Sequence, residues 1–239
     1  MIVTKDFLAL QIAFAERVAE LVQVPRERAL LDYTNLYVRF GLGRDFDEQH
    51  QVWRAYLAGL RTAANVCEYT HEFYLRTAGP ATTPLRPGKF GCFSWACEEQ
   101  QRIRLHFVND EPGHVSPLST GERDIRLSEL RALFLHVRAV VGDAARVVGV
   151  SWLYNLEAYR RLFPPGYGES RRRIPARFRG MSLWGQFLNH RGELKRTAAE
   201  RLLGSVDRQL SSEEVERCFP LQVLTTEAPV QQFYSFYEL

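Results

Sequence analysis

Arg146-Val147-Val148-Gly149-Val150-Ser151-Trp152-Leu153-Tyr154 is the stretch on which the reading of this chain turns. It is an apolar run of the kind shown by a strand covered on both faces. On its N-terminal side lies an amphipathic helical stretch over about 127–141, closed by Gly142. Before that come a long polar loop, NDEPGHVSPLSTGERD (109–124), and the strand-like RIRLHFV (102–108). A polar Glu98-Glu99-Gln100-Gln101 turn joins RIRLHFV to FGCFSWAC (90–97), which predicts a hairpin. On the C-terminal side, LEAYRRLF (156–163) reads as a short helix stopped at Pro164-Pro165. An arginine-rich loop follows, and MSLWGQFL (181–188) reads as the next strand. A helix over about 192–209, a short one capped by Ser211 or Ser212, and a strand LQVLTT (221–226) complete the pattern. Strands alternating with helices in this way predict a mixed sheet covered by helices.

The first part of the chain reads differently. Thr4 is a plausible N-cap, and Phe7, Leu8, Ile12, Val18, Leu21 and Val22 keep helical spacing. Pro25 begins a second helix that runs through Leu30, Leu31, Leu36, Val38 and Phe40 to Gly41 and Gly43. Asp45 or Asp47 caps a third, carrying Val52, Trp53, Tyr56, Leu57 and Leu60, and a fourth follows at about 63–77. The predicted fold class is therefore α+β. A helical unit spans 1–79, a linker with three prolines spans 80–89, and an α/β domain spans 90–239.

Composition narrows the function classes. The hydrophobic fraction is 46% and the charged fraction 25%, as in ordinary globular proteins, and no apolar run approaches the ~20 residues of a membrane helix. Lys5 and Asp6 interrupt the start, so no signal peptide is expected. Cys67, Cys92, Cys97 and Cys218 are too few for a disulfide framework and form no CxxC pair, which reads as reduced core cysteines of a cytoplasmic protein with no metal. A net charge of +3 does not by itself imply nucleic acid.

Several residues stand out as site candidates. Trp95, Trp152 and Trp184 sit in or at the ends of predicted strands and either fill a core or wall a pocket, with Gln186 two residues beyond Trp184 on the same sheet face. Arg171, Arg172, Arg173, Arg177 and Arg179 crowd one loop, where guanidinium forks suit phosphate or carboxylate; the alternative is a solvated loop. Glu68 and His71 form one Glu-x-x-His, half of what a di-iron bundle needs, and read as exposed helical polars. Tyr33, Asn35 and Arg39 place polar groups on an otherwise apolar helix.

Over roughly 100–190, the strand RIRLHFVND with its loop GHVSPLSTGERD, the helix containing LRALFLHV, and the run VGVSWLYNLEAYRRLFP resemble the C-terminal domain of GNAT-like N-acyltransferases. Ser151-Trp152-Leu153-Tyr154-Asn155-Leu156 occupies the place of that family's Ser-Trp-Leu-Leu and Asp-Pro segment. The resemblance implies that the strands at 102–108 and 146–152 splay apart around an acyl thioester, carried by coenzyme A or a carrier protein. An acceptor amine attacks it, a side chain or an ordered water accepts the proton, with His106 on the first strand the candidate base, and Tyr154 or Tyr159 is the candidate acid that protonates the departing thiolate. Ser151, Trp152 and Asn155 would lie against the substrate. No Gln/Arg-x-x-Gly-x-Gly/Ala turn opens the helix at 127, so the phosphate cradle of acetyl-CoA enzymes is not written there. The competing expectation is a non-catalytic module that holds a partner protein or an anionic metabolite.

Overall fold

The computed structural model describes residues 3–78, 88–98, 101–109, 115–175, 178–209 and 212–239. The elements run α1 (Lys5–Val22), α2 (Arg26–Tyr33), α3 (Leu36–Arg39), α4 (Gln51–Thr62), α5 (Val66–Thr77), β1 (Lys89–Phe90), β2 (Phe93–Glu98), β3 (Arg102–Phe107), α6 (Arg123–Val141) and β4 (Arg146–Ser151). They continue with α7 (Glu157–Arg160), α8 (Pro165–Glu169), β5 (Arg172–Arg173), α9 (Met181–Trp184), α10 (Arg196–Val206), β6 (Leu224–Pro229) and α11 (Val230–Phe236). The fold is α+β: helices come first and a mixed sheet follows. No helix among the described residues is long and apolar enough to cross a membrane.

The chain divides into two compact units: 1–82 with 176–220, and 83–175 with 221–239. Residues 176–220, which the sequence reading groups with the α/β half, thus pack with the N-terminal helices. Most of the predicted 80–89 linker, together with Glu99, Gln100, Arg177 and the Ser211 cap, lies outside the described residues.

In the helical unit, α1 starts where the Thr4 hydroxyl accepts from the Phe7 amide, and it buries Phe7, Leu8, Gln11, Ile12, Phe14, Ala15 and Val18. The predicted second helix is two helices. Thr34 adopts an extended backbone, and its hydroxyl donates to the Leu30 carbonyl while accepting from the Leu36 amide, which ends α2 and opens α3. The α4 cap is neither Asp45 nor Asp47 but the His50 imidazole, accepting from the Val52 amide. MSLWGQFL is not a strand: Met181–Trp184 is helical and Gly185–Phe187 a 3-10 turn, with Leu183, Trp184 and Phe187 buried. The run has Met, Leu, Trp and Phe but no β-branched residue, and such short apolar runs fit a helix as well as a strand.

In the sheet unit the strand order is β1-β2-β3-β4-β6-β5. The predicted hairpin is there, with Phe93 opposite Phe107 and Glu98 opposite Arg102. The last strand runs over Leu224–Pro229 and so begins three residues into LQVLTT. The polar Thr225–Glu227 hides it from a hydrophobicity reading, and Pro229 ends it. β4 pairs with β6 antiparallel over six positions, Arg146↔Pro229 through Ser151↔Leu224. Alternation sends Phe93, Trp95, Ile103, Leu105, Val147 and Ala228 to one face, where they meet α6 and α11 through Leu130, Leu133, Phe134, Val137 and Phe233. Arg102, Arg104, His106, Arg146 and Glu227 fall on the other face.

Candidate functional site

β3 and β4 are the one parallel pair of neighbours in this sheet, and their ladder holds only Arg102↔Arg146, Ile103↔Val147 and Arg104↔Val148. Beyond that, Leu105–Phe107 and Gly149–Ser151 have no ladder partner across the gap, so the two strands part toward their C-terminal ends. Each remains paired on its outer side: β3 along its length with β2, and β4 along its length with β6.

Tyrosines pack where the strands part. Ser151 caps a 3-10 turn, its hydroxyl accepting from the Leu153 amide at 3.1 Å, and the turn carries Tyr154 back under β4. The Tyr154 and Tyr167 hydroxyls are 2.7 Å apart. A Cβ on Gly149 would lie 1.8 Å from the Tyr154 hydroxyl and 2.4 Å from that of Tyr167, so only glycine lets both phenols lie against this strand. Tyr159 on α7 stacks edge-on against Tyr154 (5.2 Å between centroids) and against Phe107 (5.6 Å). Burial pushes all three phenols above their ordinary value, Tyr159 and Tyr167 well above it. Tyr154 is the one whose phenolate the hydroxyls of Tyr167, Thr226 and Tyr159 would stabilise, partly opposing that rise.

The remaining predicted residues scatter. His106 is half-buried on the opposite sheet face from these tyrosines, across from Ser94. It lies near Glu98, whose carboxyl is held below its usual range mainly by a hydrogen bond from Arg104. Asn155 is structural, its amide donating to the Trp152 and Gln222 carbonyls at 2.7 and 2.8 Å. Trp152 begins the 3-10 turn, half-buried. Trp95 is buried, its ring 5.9 Å from that of His136 on α6, and its indole N–H has no partner among the described residues. Trp184 and Gln186 belong to the helical unit, where the Trp184 indole donates to the Phe178 carbonyl at 2.6 Å and Gln186 donates to the Leu183 carbonyl. The three tryptophans therefore do not share a sheet, because the segment carrying Trp184 is helical.

The arginine-rich segment is likewise not one loop. Arg171 closes a turn on the Gly168 carbonyl, while Arg172 and Arg173 form the edge strand β5 against Thr225 and Leu224. Arg179 belongs to the helical unit, paired with Asp32 and lying 4.5 Å over the Phe46 ring. The structure also brings together a group that no sequence motif marks. On the sheet face away from α6, Arg146 bonds Glu227 at 2.5 Å and Arg102 approaches the same carboxylate at 3.9 Å. Hydrogen bonding to Arg146, with the charges of Arg146, Arg102 and Arg172, holds the Glu227 carboxyl below its usual range. Cross-strand register could have located this group only after the β4–β6 pairing was known.

The surface of this unit carries an open groove of about 400 Å³ beside Pro164, Pro165 and Phe236, and a cleft of about 210 Å³ lined by Arg146, Ser170, Arg172, Thr225, Thr226 and Glu227. Neither lies between β3 and β4. Among the described residues no group of three or more His, Cys, Asp or Glu could hold a metal ion. Compared with protein-family models, curated proteins and solved structures, the chain matches none.

Proposed function

We propose that the sheet unit is a GNAT-like N-acyltransferase, or a relative descended from one, which moves an acyl group from a thioester of coenzyme A or a carrier protein to an amine. The observation that carries this reading is the parting of β3 and β4 after three paired residues. A parallel pair that opens at its C-terminal ends offers backbone groups on both inner edges to an extended amide-bearing arm such as pantetheine. In this reading the amine nitrogen attacks the thioester carbonyl, the C–N bond forms and the C–S bond breaks. His106, on the part of β3 that lies beyond its ladder with β4, takes the amine proton. Tyr154, under Gly149 where the gap begins, protonates the thiolate, and the hydroxyls of Tyr159 and Tyr167 share the charge left on it.

The test is titration calorimetry with acetyl-, medium-chain and long-chain acyl-CoA, followed by thiol release in the presence of amines. Saturable binding that a Gly149→Leu variant loses is the expected result. No heat with any thioester, free or carrier-bound, would remove the proposal. A second reading, a non-catalytic module, is favoured by one observation: the Ser151 and Tyr154 hydroxyls and the Asn155 side-chain nitrogen are engaged within the fold. Thioester binding without turnover by any amine would select it.

A further inference from the structure

The cleft over Glu227 combines three features. It is concave, at about 210 Å³. Its charge is unbalanced: Arg146, Arg172 and the nearby Arg102 face one carboxylate. And it holds uncommitted donors. Arg146 uses its Nε on Glu227, leaving its terminal nitrogens outside that bond, while the exposed Arg172 side chain on β5 makes no hydrogen bond or ion pair among the described residues. Thr225, directly opposite Arg172 in the ladder, puts a hydroxyl on the same face. The floor is fixed, because the Ser170 hydroxyl accepts from the Glu227 amide at 2.9 Å and donates to the Tyr167 carbonyl at 2.8 Å.

From these we infer that the cleft bounded by Arg146, Arg172 and Thr225 binds the phosphate group of a small phosphorylated molecule. Two guanidinium forks and a hydroxyl lining one cleft suit the oxygens of a phosphate, which accepts several charge-assisted hydrogen bonds at once. Glu227 aligns Arg146 and leaves the pocket net positive. The volume falls below the roughly 300–1,000 Å³ of pockets that enclose a whole drug-sized ligand. One anionic group therefore enters, and the rest of its molecule stays outside. The site does not rest on acyl transfer, and it lies across β4, β6 and β5, not in the gap between β3 and β4.

The test uses the full chain and three probes: inorganic phosphate, pyrophosphate, and adenosine 3′,5′-bisphosphate, read by calorimetry at two chloride concentrations. Saturable binding of at least one probe is expected. Arg172→Gln and Arg146→Gln should each weaken it tenfold or more, and Glu227→Gln should tighten it several-fold by removing the competing charge. Binding of phosphate and pyrophosphate alone identifies the free anion as the source, and preference for the bisphosphate identifies a nucleotide. No saturable binding of any probe, or binding unchanged in both arginine variants while circular dichroism shows them folded, would overturn the inference. Failure of every thioester to bind, with phosphate binding intact, would sink the acyltransferase reading alone.

Discussion

Gly149→Ala tests the packing at the mouth of the gap. The new methyl would stand 1.8 Å from the Tyr154 hydroxyl, 2.4 Å from that of Tyr167 and 2.5 Å from the Tyr154 Cζ. Ordinary contact needs more than 3.4 Å, so the Tyr154 ring must shift by over an ångström. It has little room, because Tyr159, Phe163 and Tyr167 surround it with centroids 5.2, 6.2 and 5.8 Å away. Overpacking a close-fitted core costs about 1–3 kcal/mol, and a displaced, hydrogen-bonded phenol puts this case near the upper end, at about 3 kcal/mol. At roughly 4 °C per kcal/mol the melting temperature of the sheet unit falls by about 12 °C. Calorimetric melting of the variant reads this directly. Tyr154→Phe removes the nearest oxygen and by itself costs about 1 kcal/mol through the lost bond to Tyr167. Combined with Gly149→Ala it should recover at least ~1 kcal/mol relative to additivity. A neutral Gly149→Ala, or a double variant additive within ~0.5 kcal/mol, would refute the packing argument.

Three further outcomes follow from the geometry. Tyr154, Tyr159, Tyr167 and Tyr237 all have native values raised by burial. Their contribution is therefore complete below the ordinary tyrosine value near ~10 and is lost as pH rises above it, at up to ~5 kcal/mol per pH unit for the four together; denaturant midpoints between pH 9 and about 11.5 should fall steeply, and a flat profile would contradict their burial. Glu129→Ala removes the 2.8 Å partner of buried Arg126 and the acceptor of the Cys92 amide, so it should cost about 3 kcal/mol in urea titration, with Glu122 at 3.8 Å compensating only in part. Arg39 has its guanidinium lowered by burial, touches Met181, and has no carboxylate partner among the described residues, so Arg39→Met should stabilise the helical unit by about 1 kcal/mol, and a loss of that size would mean the charge is compensated.

How much of this was legible in the sequence depended on whether a signal was local. Capping at Thr4, the hairpin, the helix closed by Gly142 and the β4 run rest on adjacent residues, and their patterns survive in the structure. The break at Thr34 was missed because a threonine inside an apolar helical pattern reads as helix; its hydroxyl bonds and the Gln11 side chain, accepting from the Asn35 amide across 24 positions, decide otherwise. MSLWGQFL was misread because only tertiary context separates a short buried helix from a strand. For the site, Tyr154 and Tyr159 could be picked from a resemblance, but Tyr167, Gly149 and Thr226 join them only through the β4–β6 register and the turn at Pro164. The Arg146–Glu227–Arg172 group is invisible in sequence for the same reason, since its members come from three strands.

The gap has a reason to lie between β3 and β4 and not elsewhere. Both strands are tied on their outer edges by six-position antiparallel ladders, whereas the joint between them is parallel, with slanted and slightly weaker pairing. The rings of Phe107 and Tyr159 meet edge-on at 5.6 Å on the core face beside these strand ends. What remains are inner-edge amides and carbonyls on 105–107 and 149–151 with no ladder partner, in a setting where unpaired backbone groups are costly. Without that ladder their amides should exchange with solvent faster than those of 102–104 and 146–148. An extended thioester arm laid in the seam should slow them selectively. Hydrogen exchange followed by mass spectrometry, with and without acyl-CoA, separates the cases: uniform protection across both strands in the free protein would mean the seam is closed and the geometry behind acyl transfer is absent.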